Sequence, residues 1–422
     1  MGNMPVGANI PLAQVPADFE YIAQTVVPED SSTITRGIYW RRSGANPRVG
    51  VHLMHPRLDQ SLNYNILPLV EAGYAVLGRG GRWPNNDIET THEHLLLDVA
   101  AGVRRLRELG CEQVVLVGIS GGAGLATFYQ AQARTEPPGR LTATPAGDPI
   151  DLNRYDMPAA DGIALIGCHP GEGVLMRRWL DPSMVDEADP FLTDSALDMY
   201  DAGNGFRIPP EPSAYDQHFL TSFHAAKEGR AQRLEELART RAARRREARR
   251  RAEEMTGRNE ALAQHFRRIA EFPDHLRIVR ALAWPAWVDP SIEPEEGRDV
   301  CLYNNHLRPD LENYRTFHAA YLTPEAYLST WSGMSGRAQT RARLAEIPDP
   351  LIIVHYAADG VCHIKDAREM FQASPAKDKQ FVLVPATDHY GFKVLGPHER
   401  GPRNFEGVHA IVDWMKKRFP PN

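Results

Sequence analysis

Val114–Phe128, VVLVGISGGAGLATF, is the stretch that decides how this 422-residue chain is read. An apolar run breaks at Gly118-Ile119-Ser120-Gly121-Gly122 and continues as a small-residue helix. A buried strand that turns sharply into a helix leaves one residue at the apex, here Ser120. Glycines two before and two after it remove the side chains that would clash in so tight a bend. Ser120 is therefore the candidate nucleophile.

Upstream, Ile34–Arg41 and Arg48–Met54 read as two neighbouring strands separated by a Gly-Ala-Asn-Pro turn. A helix is expected over Leu62–Ala72 and a strand over Tyr74–Leu77. His92–Leu109 carries Leu95, Leu96, Val99, Val103 and Leu106 at helical spacing. Strand and helix thus alternate into the elbow, as a parallel sheet covered on both faces requires. Residues 1–30, rich in proline and without clear periodicity, read as an arm wrapped over the surface.

Downstream, Glu136–Ala160 is proline-rich and loop-like, and Gly162–Gly167 is a further buried strand. The next such run, Leu351–Tyr356, comes about 180 residues later. A helix around Lys365–Gln372, the strand Phe381–Val384 and a closing helix Phe405–Phe419 complete the pattern. Of the readings that 422 residues allow, several domains or one large domain with an insertion, this order favours the second. Residues 1–170 and 346–422 form the body, and 171–345 are inserted between two late strands.

The strand Leu351–Tyr356 is followed by Asp359, and Phe381–Val384 by His389. Functional groups in open parallel sheets gather beyond the carboxyl ends of the strands, where Ser120, Asp359 and His389 all fall. A serine hydroxyl needs a base to take its proton, and that base needs a third group to hold its tautomer. Asp366 and Asp388 compete with Asp359, but one lies inside a helix and the other beside the proposed base. His52, His55, His169, His355 and His363 lie in or beside strands and read mostly as structural. The stretch Gly333-Met334-Ser335-Gly336-Arg337 is set aside, because arginine stands where the second glycine belongs.

A strand–GxSxG–helix unit, a late strand ending in aspartate and a last strand followed by histidine resemble the α/β-hydrolase superfamily, over residues 34–170 and 346–418. The resemblance implies a mostly parallel sheet with helices on both faces and a largely helical cap at 171–345. It implies Ser120 as nucleophile, His389 as general base and Asp359 as orienting acid. The oxyanion hole would be the backbone N–H groups of Gly121 and of the loop after Arg48–Met54. That loop usually begins His-Gly; here it is His55-Pro56-Arg57, and since proline has no N–H the second donor falls to Arg57. His55, Arg82 and Trp83 border the expected pocket. The implied reaction is hydrolysis of a small apolar or aromatic carboxylic ester through an acyl-serine. Amide, lactone, thioester and carbon–carbon cleavage are alternatives on the same triad. A serine at the elbow argues against the branches that use an aspartate nucleophile, and neither metal nor organic cofactor is implied.

Composition sets outer bounds. The apolar fraction of 42% and charged fraction of 24% are those of an ordinary globular protein. No stretch has the length of apolar sequence a membrane span needs, and a secretory signal is not expected at the N-terminus. Cys111, Cys168, Cys301 and Cys362 are widely spaced, which suits reduced thiols in a cytoplasmic protein.

Within the insertion, residues 225–272 are strongly helical by propensity, with a turn expected at Gly257. They hold 14 Lys and Arg against 8 Asp and Glu, an excess of six positive charges, so the remainder of the −6 chain carries −12. The eight arginines of Arg239–Arg251 invite a nucleic-acid reading. Interleaved Glu235, Glu236, Glu247, Glu253 and Glu254 favour a solvated helix face, and no nucleic-acid partner is expected. Seven-residue spacing of Leu234, Ala248, Met255, Leu262 and Ile269 suggests one packed side, within the cap or in a homo-oligomer. An interaction module built on these helices, without catalysis, is the reading from another class. Trp284, Trp287, Tyr303, Tyr314, Phe317, Tyr321, Tyr327 and Trp331 give the insertion an aromatic end that reads mainly as core.

Overall fold

The structure, a computed structural model, describes residues 9–31, 33–295, 298, 300, 308–315, 319–396 and 399–421. Cys301, Tyr303 and Phe317 lie outside them.

Strands β1 (Phe19–Val26), β2 (Thr35–Arg42) and β3 (Val49–Met54) precede helix α1 (Ile66–Glu71), β4 (Ala75–Arg79) and α2 (His92–Glu108). Strand β5 (Gln113–Ile119) leads through Ser120 into α3 (Gly122–Arg134), and β6 (Gly162–Ile166) follows. The chain then leaves the sheet for α4 (Glu172–Trp179), α5 (Gln217–Met255) and α6 (Glu260–Glu271). Two short strands, β7 (Leu276–Arg277) and β8 (Tyr321–Leu322), pair beside the helical turns α7 (Pro309–Glu312) and α8 (Pro324–Ala326), and α9 (Thr340–Leu344) leads back. Last come β9 (Leu351–Tyr356), α10 (Ile364–Ala373), β10 (Lys379–Val384), the hairpin β11 (Phe392–Gly396) and β12 (Glu399–Arg403), and α11 (Glu406–Arg418).

The main sheet has the order β1-β2-β4-β3-β5-β6-β9-β10. From β4 to β10 every pairing is parallel, while β1, β2 and β4 pair antiparallel. Two expectations change here. Residues 19–26 are an edge strand, not part of a wrapping arm, and all eight pair with β2. Strands β2 and β3 are not neighbours, because β4 lies between them.

The apolar run that opened the reading is buried on both faces by its own alternation. Val115 and Val117 join Val51, Leu53, Ile166 and Val354 under α1 and α11, where Ile66, Leu69, Ile411 and Trp414 complete the layer. Val114 and Leu116 face α2 and α3 through Leu96, Val103, Leu125 and Phe128. Beyond β6 the second face passes to α10, with Ile163, Leu165 and Ile353 against Ala367 and Met370.

Helix α5 starts where the Asp216 carboxylate accepts from the Phe219 amide at 2.7 Å. It buries Ala231, Leu234, Ala238 and Ala242 against Leu276, Leu322, Leu328 and Trp331. The chain reverses after Gly257, at φ +74°, and Asn259 caps α6. The seven-residue seam holds for Leu234 and Ala248 but not for Leu262, which is 37% exposed; α6 turns Ala263 and Ala270 inward instead. Small residues let the two helix backbones approach closely, which the longer side chains would prevent. Arg239, Arg241, Arg245, Arg249, Arg250 and Arg251 each meet a carboxylate. Among the described residues, no helix is long and apolar enough to cross a membrane.

Candidate active site

Ser120 sits at φ +52°, a left-handed conformation that few non-glycine residues adopt. Such strain persists only where the surroundings impose it, and it is concentrated at functional sites. The Ser120 amide donates to Ile166 O at 3.2 Å and its carbonyl accepts from the Ala123 amide at 3.1 Å. Strand and helix therefore grip the apex from both sides. At Gly122 a Cβ would lie 2.8 Å from Met54 O, so the elbow needs glycine there.

Ser120 Oγ lies 3.0 Å from His389 Nε2, and His389 Nδ1 lies 2.7 Å from Asp359 Oδ2. These three residues come from three separate strand ends, after β5, β9 and β10. Asp359 is completely enclosed; its Oδ1 accepts from the Val361 and Cys362 amides at 2.7 and 2.9 Å. Burial works against the Asp359 charge, but the His389 ring and these amides outweigh it and hold the carboxyl below its ordinary value. Burial likewise opposes a charged His389, yet the Asp359 carboxylate raises that imidazole above its ordinary value. The rival acids are engaged elsewhere: Asp366 binds Arg178 at 2.6 and 2.8 Å, and Asp388 binds Arg400 at 2.9 Å.

A cavity of about 250 Å³ opens onto Ser120 and His389. Leu175, Met176 and Trp179 of α4 form an apolar wall with Trp331 and Val361. The rest of its lining is mainly polar and includes His55, Arg57, His169 and Glu172. Arg57 Nε donates to Glu172 Oε1 at 3.1 Å, and Arg57 lies over the Trp331 ring at 5.3 Å. Burial opposes ionisation of Glu172, but Arg57 overrides it and keeps the carboxyl far below its usual range. A larger cleft of about 1250 Å³ lies beside α10 and β11, and its lining includes neither Ser120 nor His389.

The structure brings together Ser120, Gly121, His389, Asp359, His55 and Arg57, but not Arg82 or Trp83. The Arg82 guanidinium is held by Asp98 at 2.7 and 2.9 Å and by Asp30 at 2.8 Å, and neither residue lines the Ser120 cavity. Two carboxylates outcompete an open pocket for one guanidinium, and Trp83 packs against the core cluster beneath α2. The Arg57 amide donates to His55 Nδ1 at 3.1 Å, within its own loop. His169 and Glu172 were not singled out as pocket residues by sequence reasoning. The one available signal was their position just past β6, another strand end facing the same crevice.

Among the described residues, Asp359, Cys362 and His389 bring potential metal-ligand atoms within 4.8 Å of one another. The His389–Asp359 hydrogen bond already occupies two of them. Burial pushes the Cys362 thiol well above its ordinary value, which keeps it protonated and opposes metal ligation.

No protein-family model matches the sequence, and no curated protein matches it. The chain is similar in structure to DcsB in complex with its substrate analogue, at 11% identity and a TM-score of 0.47, covering 94% of this chain and 99% of that one. It is also similar to a thermophilic esterase from Thermogutta terrifontis with malate bound, at 12% identity, 94% and 98% coverage and a TM-score of 0.38. For bromoperoxidase from Bacillus anthracis the values are 13%, 94% and 98%, and 0.36. Likeness of this degree carries nothing about activity. Strand order and pairing sense carry the fold instead. An antiparallel edge, the exchange of β3 and β4 and a strand–Ser120–helix elbow at the sheet's centre mean that this chain has the α/β-hydrolase fold.

Proposed function

We propose that the protein is a serine hydrolase that cleaves a carboxylic ester through an acyl-serine intermediate. The observation that carries this reading is the continuous Ser120–His389–Asp359 line, at 3.0 and 2.7 Å, with a strained serine at its head. Ser120 Oγ attacks the carbonyl carbon as His389 Nε2 takes its proton, and Asp359 steadies the imidazolium that forms. The Gly121 amide, at the N-cap of α3, has no partner within the helix and lies at the positive end of its dipole. It is one donor to the carbonyl oxygen as that oxygen becomes negative. His389 then returns the proton to the leaving alcohol and activates water to release the acid.

A cavity near 250 Å³ walled by Leu175, Met176, Trp179 and Trp331 suits a small apolar or aromatic group. Residues 171–345 act as the cap over it, and we read them as one unit set on a body of 1–170 and 346–422. The same triad would serve an amide, lactone, thioester or carbon–carbon bond. Fluorophosphonate labelling of the wild-type protein that disappears in Ser120→Ala, with turnover across a panel of these substrates, tests the reading. A folded wild type that resists the probe and turns over none of them would sink it. That result would leave the interaction module as the better account, with α5 and α6 as its contact surface. The arginine–carboxylate pairs on that surface oppose a nucleic-acid partner.

A further inference from the structure

Acyl transfer on Ser120 needs two donors for one oxygen, and only the Gly121 amide is supplied by the elbow. Pro56 has no N–H, and the Arg57 and Leu58 amides both donate to His55 Nδ1, at 3.1 and 3.2 Å. The loop that should provide the second backbone donor has thus turned its amides onto its own histidine.

That same arrangement fixes the histidine's proton. A ring nitrogen accepting two N–H groups cannot carry a hydrogen, so the proton of a neutral His55 is on Nε2. The ring is neutral because burial and the neighbouring Arg57 charge hold it well below its ordinary value. His55 is 3% exposed, it lines the Ser120 cavity, and among the described residues its Nε2 has no hydrogen-bond acceptor. It is a buried donor aimed at the place where the substrate would sit. A Cβ on Gly121 would stand 2.9 Å from His55 Nε2 and 3.0 Å from His169 Nε2, with Glu172 Oε1 nearer still, so all three side chains border the space beside Gly121.

His169 is arranged alike, with Nδ1 accepting from the Gly171 amide at 3.1 Å, but its Nε2 faces Glu172 Oε2 at 3.8 Å. The Glu172 carboxylate would repel a developing anion if it were bare. Arg57 Nε neutralises it, donating at 3.1 Å to Oε1, the oxygen nearest Gly121. Of the two histidines, His55 is the ring whose tautomer is fixed by two amides and which has no carboxylate oxygen facing its Nε2 as Glu172 Oε2 faces that of His169.

We propose that His55 Nε2–H, with the Gly121 amide, forms the oxyanion hole of this protein, a side chain standing in for the second backbone amide. The inference rests on the acyl-serine reading. As Ser120 Oγ bonds to the carbonyl carbon, the C=O π pair moves onto oxygen and the serine proton goes to His389. His55 donates a hydrogen bond to that oxygen and transfers no proton. When the π bond re-forms, the leaving group departs with the proton from His389.

Two substitutions separate this role from bracing the loop. In His55→Asn the amide oxygen replaces Nδ1 as acceptor for Arg57 and Leu58, and the donor at Nε2 is lost. In His55→Gln the amide nitrogen reaches the Nε2 position and the brace is lost. With an aryl ester, His55→Asn is expected to lower kcat about a hundredfold while KM changes less than about threefold. His55→Gln should restore kcat to within about tenfold of wild type. An aryl trifluoromethyl ketone, which forms a hemiketal oxyanion on Ser120, should lose affinity for His55→Asn in parallel with kcat/KM. Melting curves matching wild type establish that the variants fold. His55→Asn at wild-type kcat, or a folded pair in which Asn and Gln fail equally, overturns the assignment. A wild type without turnover and without Ser120 labelling fails the acyl-serine reading itself, a distinct result from an active wild type with an active His55→Asn.

Discussion

At the scale of single residues, the chemistry assigned to Ser120 depends on whether His389 Nε2 is free of a proton. Burial alone would make His389 a weak base, but the Asp359 carboxylate at 2.7 Å overrides it and raises its proton affinity, with Asp388 adding to the effect. The sign of the pH dependence follows. The base is protonated and inactive at low pH, so kcat/KM for an aryl ester rises with pH through the His389 pKa and levels off above it. The midpoint of that limb should lie above the ordinary histidine value of about 6.5. In Asp359→Asn the carboxylate is lost and the midpoint should move down. An acid limb centred well below the ordinary value in the wild type would contradict this account of His389.

At the scale of elements, α5 shows why a run of arginines need not be a nucleic-acid surface. Its inward stripe of Ala231, Leu234, Ala238 and Ala242 packs into an apolar cluster, and its arginines meet carboxylates within one turn, on α8 or on the loop at Asp148. Interiors are close-packed, so extra volume on the inward stripe has nowhere to go. Ala238→Leu should destabilise the protein by about 1–3 kcal/mol, read as a lower midpoint in chemical denaturation. Glu236→Ala, on the exposed side two residues earlier, should change it by less than about 0.5 kcal/mol. Equal effects of the two substitutions would mean that α5 does not pack through this stripe.

At the scale of the molecule, the irregular part of the insertion is tied together by a buried polar centre rather than by sheet or helix. Asp181 is completely enclosed and accepts from Arg280 at 2.7 and 3.0 Å, from Asn313 at 2.6 Å and from Ser183 at 2.7 and 2.9 Å. Arg230 reaches the Asp181 and Arg280 carbonyls at 2.9 and 2.8 Å and Glu187 at 2.7 Å. Segments distant in sequence, 181–187, 230, 280 and 313, thus converge on one charge-balanced knot. Breaking one side strands the Arg280 guanidinium without its counter-ion. Asp181→Asn should cost about 3–5 kcal/mol, seen as early loss of structure around the insertion in hydrogen exchange. Retention of wild-type protection there would show that the knot does not hold the insertion.

Much of the body was legible because it is written in local patterns. The run Val114–Val117, the glycines around Ser120, and Asp359 and His389 just past two apolar runs are each contained within a few residues. Steric demand at a turn and burial on both faces of a strand act at that range. Hydrogen bonding between strands does not, because backbone groups pair without a side-chain signature. The sequence could therefore not say that β4 separates β2 from β3, or that residues 19–26 extend the sheet edge. On the polar part of the cavity lining His169 and Glu172 were hidden, and the state of all four residues there was hidden, for a related reason. His55, His169, Glu172 and Arg57 acquire their charge states, tautomers and partners only from one another, across more than a hundred residues of chain. Sequence alone determined the alternation of strand and helix, the elbow and the order serine, acid, histidine, since these follow from local sterics and hydrophobic spacing. Tertiary structure alone decided that Arg82 is locked away by Asp98 and Asp30 and that the Arg57 and Leu58 amides turn onto His55 Nδ1, since competition among charges and donors is settled only when the chain has closed around them.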